Sequence, residues 1–217
     1  MENWQDKIYI AVAKKSPQII SLFWIIYLSI ALVFTVGAFV VFTNSPLYQT
    51  IYEIGINSGR AALLLLGVVV LPGILGRFGI EIRITRIITL FRRQLGIVVF
   101  LLAFTHYHIV RAFLLYSQGK IFAPSNLLFE TIGFYTLMLL FLMFLTSNNF
   151  SVKKLGRWWK RLHRIVYVIL WLLVFHTGLQ RISVWSVFIF IFAVLEVASL
   201  IYARFKSKQL KQTMINQ

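Results

Sequence analysis

The sequence contains no cysteine. That absence excludes disulfides, iron–sulfur clusters and thiolate metal sites, and leaves the compartment open. Acidic side chains are scarce as well, six against 22 lysines and arginines, for a formal net charge of +16. There is no internal repeat and no low-complexity linker. What the chain has in quantity is apolar sequence. Of its 217 residues 59% are hydrophobic, and they fall in long blocks. A soluble domain of this length has too little interior for them, so the composition is that of a membrane protein.

Six blocks qualify as spans: Ile19–Phe42, Ala61–Gly76, Gln94–Tyr116, Leu127–Thr146, Leu162–Leu179 and Val184–Ala203. Most approach the ~20 residues that cross ~30 Å of hydrocarbon. The second is short and broken by Pro72, Gly73 and Gly76, and either continues into Arg77–Ile80 or tilts less than the others. With alternating crossings, all basic residues but Arg60, Arg111, Lys120 and Arg181 fall on one side. The positive-inside rule therefore puts both termini in the cytoplasm and accounts for the charge without nucleic acid. The first span is too long for a cleavable signal peptide, whose apolar region is usually ~7–15 residues. The stretch "IEIRITRIITL" (Ile80–Leu90) alternates charged and apolar residues and suits a short amphipathic helix at the inner interface. Trp158 and Trp159 fit the inner aromatic belt, Tyr116 and Trp185 the outer one. The expected fold class is thus all-α integral membrane: a six-transmembrane-helix bundle over 19–203, with a cytoplasmic segment 1–18 and a basic cytoplasmic tail 204–217. Such a chain is multi-pass in the cell (inner) membrane, with the lipid bilayer as its first partner.

Two of only four histidines sit on "RLHRIVYVILWLLVFH" (Arg161–His176). Ionisable groups inside a membrane helix are costly and usually have a task. His106 lies 13 residues beyond Arg93, and His176 lies 15 beyond Arg161. At ~1.5 Å per residue both stand roughly 20 Å up outward-running helices, at nearly one depth. Imidazoles from two helices at one level suit axial coordination of a haem slotted between the third and fifth helices. A single intramembrane histidine more often hydrogen-bonds a neighbouring helix than binds metal, and it is the matched pair that favours ligation. His163 lies at the inner mouth of the fifth span, roughly 20 Å from His176 along a continuous helix, suiting a second haem or an interfacial cation. His108, on nearly the opposite side of the helix from His106, reads as a satisfied bundle or lipid-interface residue. Zinc is disfavoured: there is no cysteine, and no carboxylate is near His106 or His176 in sequence.

"RRQLGIVVFLLAFTH" (Arg92–His106), "SGRAALLLL" (Ser58–Leu66) and "LTSNNFSVKKLGRWWKRLHRIVYVILWLLVFH" (Leu145–His176) resemble the ferric reductase-like transmembrane domain family. The nearest branch is that of the haem-binding membrane subunits of the periplasmic methionine sulfoxide reductase system. The resemblance implies b-type haem and transmembrane electron transfer, with His106 and His176 as one axial pair and His163 as an inner-haem ligand. Arg92 stands where NADPH-oxidase and ferric-reductase relatives carry a fourth histidine. A second haem would then need another group opposite His163. One haem b is expected, with a second, FMN or a quinone left open.

Haem propionates call for cations. Arg60 and Arg111 are the outer candidates, with interfacial snorkelling as the alternative. Arg92, Arg93 and Arg164 are the inner ones, or anchors in anionic headgroups. Glu196, inside the sixth span, would pair with a basic residue, remain a protonated structural group, or relay a proton to a quinone. The expected function is electron relay, without a catalytic soluble domain, from a cytoplasmic flavin reductase or quinol to an external acceptor such as a periplasmic molybdopterin-containing methionine sulfoxide reductase. The rivals are a ferric or other metal-ion reductase membrane subunit and a haem-free six-helix transporter or scaffold. Pro72–Gly73 is the only hint of the last, since transporters use broken helices near mid-membrane.

Overall fold

A computed structural model describes residues 4–80, 82–120 and 127–215. Parts of the expected 1–18 and 204–217 segments, Glu81 and the side chain of Lys211 lie outside that description. The described residues form helices and no strand: α1 (Trp4–Lys14), α2 (Ser16–Phe42), α3 (Tyr48–Phe78), α4 (Arg83–Leu90), α5 (Arg92–Tyr107), α6 (Phe113–Ser117), α7 (Leu128–Leu145), α8 (Asn149–Leu155), α9 (Arg157–His163), α10 (Val166–Gln180) and α11 (Val184–Ile215). A π-helical turn, His108–Ala112, joins α5 to α6. Six helical stretches are long and apolar enough to cross a membrane: Ser16–Phe42, Tyr48–Phe78, Arg92–Ser117, Leu128–Leu145, Arg157–Gln180 and Val184–Gln209. The expected six-span all-α bundle is therefore the observed one, and the chain is a multi-pass membrane protein.

The second span continues past Gly76 as far as Phe78, the first of its two expected alternatives. It is neither short nor broken, because α3 runs unbroken for 31 residues through Pro72. Pro72 removes one backbone donor, and the helix absorbs that loss rather than ending. It ends instead at Gly79, whose φ of 77° only glycine adopts freely. The Ile80 N–H then turns back to the Leu75 carbonyl at 2.9 Å, satisfying a carbonyl the helix end leaves open. Arg77 is consequently a helical residue facing the bundle. The amphipathic stretch does form a helix, α4, which packs on α1 and α3.

Packing runs around a closed circuit: α3 on α5, α5 on α7, α7 on α10, α10 on α11, and α11 back on α3. Helix α2 lies outside, against α5 and α3. All five ring helices contribute to one apolar core, including Val70, Phe100, Leu140, Ile169 and Ile189. The third and fifth spans are thus parallel but not side by side, as α7 and α11 intervene between α5 and α10. A smaller cluster around Phe23, Phe91 and Val98 seats α1, α2 and α4 against the start of α5.

Candidate functional site

His106 lies one residue before the end of α5. Its Nδ1 is 2.9 Å from the carbonyl oxygen of Gly55 on α3. His176, on α10, makes the same contact to α7: its Nδ1 is 2.7 Å from the Phe129 oxygen. A carbonyl only accepts, so Nδ1 donates in both rings and Nε2 keeps a bare lone pair. Neither Nε2 has a hydrogen-bond partner among the described residues. An imidazole with its Nδ1–H tied to a carbonyl and its Nε2 open is the form in which histidine ligates a metal.

The two seats share a further device. A helical carbonyl already bonds the N–H four residues on, and the side chain of that later residue crowds its remaining lone pair. Four residues after Gly55 comes Gly59, and four after Phe129 comes Gly133. A Cβ added at Gly59 would stand 2.8 Å from His106 Nδ1, and one at Gly133 would stand 2.6 Å from His176 Cε1. Each glycine therefore opens the face of its helix that the ring occupies. Gly55 and Gly59 also form a GxxxG stripe that lets α3 and α5 approach closely, with Ile109 fully buried against Gly55. "GINSG" is visible in the sequence as a close-packing motif, whereas Gly133 carries no local signal.

The two rings are near enough to interact electrostatically. His106 and His176 thus lie within electrostatic reach of each other on helices that are not neighbours in the circuit. The donor set suits haem: two open imidazole nitrogens and no competing thiolate or carboxylate cluster. No group of three or more metal-ligating His, Asp or Glu side chains exists among the described residues.

His108 is elsewhere. Its Nδ1 donates to the Phe104 carbonyl of its own helix at 2.8 Å, and its ring packs against Phe34 of α2 at 5.3 Å. His163 closes α9, with its Nε2 3.3 Å from the Thr146 hydroxyl and its ring 4.1 Å from that of Trp159. Arg92 and Arg93 are its charged neighbours. The continuous helix assumed between His163 and His176 does not exist. Bonds spanning three residues, including Ile165 N–H to the Leu162 carbonyl at 2.9 Å, separate α9 from α10. The ~20 Å separation counted along one straight helix therefore does not apply.

The two outer arginines have protein partners. Arg60 is 3.0 Å from Asn57 Oδ1 and sits over the Trp185 ring at 5.6 Å. Arg111 pairs with Glu130 at 3.0 Å. In the other half of the bundle Glu196, 2% exposed, forms an ion pair with Arg77, so its partner is basic as one alternative expected. Arg77 also reaches Ser199 Oγ at 2.8 Å and Tyr167 Oη at 3.4 Å, joining α3, α10 and α11. Arg92 stands within electrostatic reach of Tyr167 and Glu196.

Residues 58–174 match the family described as "Ferric reductase like transmembrane component". The chain belongs to that family. The match includes His106 and His163 and stops two residues short of His176. Among curated proteins, the "Protein-methionine-sulfoxide reductase heme-binding subunit MsrQ" of Brucella anthropi is 39% identical over 83 residues, 36% of each chain. Its namesake from Brucella ovis is 37% identical over 83 residues, again 36% of each. The chain thus aligns with about a third of the length of these relatives. No solved structure matches.

Proposed function

We propose that this family member is a b-type haem electron-transfer protein of the membrane, in which His106 and His176 would hold the haem iron. The observation that carries this reading is the paired seating of the two rings, each with Nδ1 committed to a carbonyl of a neighbouring helix and Nε2 left to ligate. The similar Brucella subunits, named for heme binding, agree with it. When bound, haem supplies a one-electron ferric/ferrous couple. The chain's own residues orient the two imidazoles, fix their tautomer and surround the centre with apolar helices that exclude water. Arg60, whose contacts are a neutral amide and an indole face, is the outer cation best placed to meet a propionate.

His163 is the one imidazole of the inner level. A second haem there would take His163 on one face and a group other than histidine on the other, with Arg92 and Arg93 to meet its propionates. The excess of basic residues at that level supports a cytoplasmic position for both termini. Electrons then run from a cytoplasmic flavin reductase, FMN or quinol toward the outer side. The acceptor there is a methionine sulfoxide reductase, as the relatives' name suggests. A metal-ion reductase subunit is the second reading, favoured by the family's own description. The unbroken α3 removes the one feature that pointed to a transporter.

A pyridine haemochrome assay on the purified chain tests the proposal. It should report b-type haem, and the haem-to-protein ratio separates one site from two. Protein that folds and contains no haem contradicts it.

A further inference from the structure

The π-turn between His106 and Arg111 has a geometric effect on the site. Five residues of regular α-helix advance about 500°, which would carry Arg111 roughly 140° away from His106. A π-turn spends about one more residue per revolution. It brings Arg111 back toward the His106 side, where its guanidinium meets the Glu130 carboxylate at 3.0 Å. Glu130 lies in the first turn of α7, directly after Phe129, whose carbonyl holds His176. The pair therefore links the turn that follows one histidine to the residue that follows the other histidine's anchor. Glu130 is within electrostatic reach of His176, and its side chain is 22% exposed, so solvent screens its charge only in part.

Resting on the haem reading above, we propose that Arg111 and Glu130 are positioning residues that balance the charge beside the His106/His176 centre and so set its midpoint potential. Reduction adds one negative charge to the centre. An uncompensated cation nearby favours the reduced form, and an uncompensated anion favours the oxidised form. The two halves of the pair must then act in opposite directions.

The test is potentiometric titration of the haem absorbance in Glu130→Gln, Arg111→Gln and Arg111→Lys proteins purified with their haem. Glu130→Gln leaves Arg111 alone and should raise the potential. Arg111→Gln removes a positive charge beside the centre and should lower it. Arg111→Lys keeps the charge and should stay near the parent value. The double variant Arg111→Gln with Glu130→Gln should return toward the parent and serves if either single variant fails to accumulate. Opposite shifts that cancel in the double variant support the proposal, because loosened packing would move both singles alike. Shifts of the same sign, or no shift in either single or the double, overturn it while the haem reading stands. Absence of haem from the parent protein would instead overturn the haem reading.

Discussion

Gly133 lies so close beneath the His176 ring that a single added carbon would stand 2.6 Å from Cε1, inside van der Waals contact. The same relationship holds between Gly59 and His106. Two helices on opposite parts of the ring thus present a bare carbonyl to an imidazole by the same means, a glycine one turn further on.

Gly59→Ala and Gly133→Ala should therefore weaken haem retention, by about tenfold or more if they act as other outer-shell changes do. Helix propensity argues the other way, since alanine favours a helix over glycine by about 1 kcal/mol. Gly96→Ala on α5 is the control, because its added carbon would meet nothing within 4 Å. Soret absorbance per protein during dilution or competition with apo-acceptor should fall in the first two and hold in the third. Equal retention in all three would remove the glycines from the site.

Much of this site is legible in the sequence because depth along a membrane helix depends only on residue count. Arg93, Arg161, His106 and His176 therefore suffice to match two imidazoles. Rotation and neighbourhood are less legible. The π-turn at His108–Ala112 leaves the hydropathy pattern unchanged while shifting every later side chain around the axis. The break before α10 is equally silent, since Arg164 and Ile165 are ordinary helix residues. Pro72 misleads in the opposite sense, because a proline can be carried within a long packed helix. The order of helices around the ring is a tertiary property, and no local pattern separates α5 from α10 by α7.

The Arg77–Glu196 pair should matter for stability more than its single contact suggests. Removing one partner strands the other charge in a buried setting, at a cost of about 3–5 kcal/mol. Glu196→Ala or Arg77→Ala should lower the detergent melting temperature markedly. The double change Arg77→Met with Glu196→Leu should recover most of the loss. A double variant as unstable as the worse single one would show that packing around Ser199 and Tyr167, not stranded charge, governs the effect.

The orientation is open to direct labelling, because the native chain has no cysteine to interfere. Ser117→Cys, at the exposed end of α6, should react with a membrane-impermeant maleimide in intact cells. Ser207→Cys, exposed on α11, should react only after permeabilisation. The reverse pattern would place the basic residues outside and invert the proposed direction of electron flow.

The most direct measurement is the ferric-state electron paramagnetic resonance spectrum of the purified chain and its His106→Ala, His176→Ala and His108→Ala variants, taken with the Soret band. The account predicts a low-spin six-coordinate signal in the parent and in His108→Ala, and its loss in the other two. Survival of that signal without His106 or His176, or its disappearance on removing only His108, would contradict it.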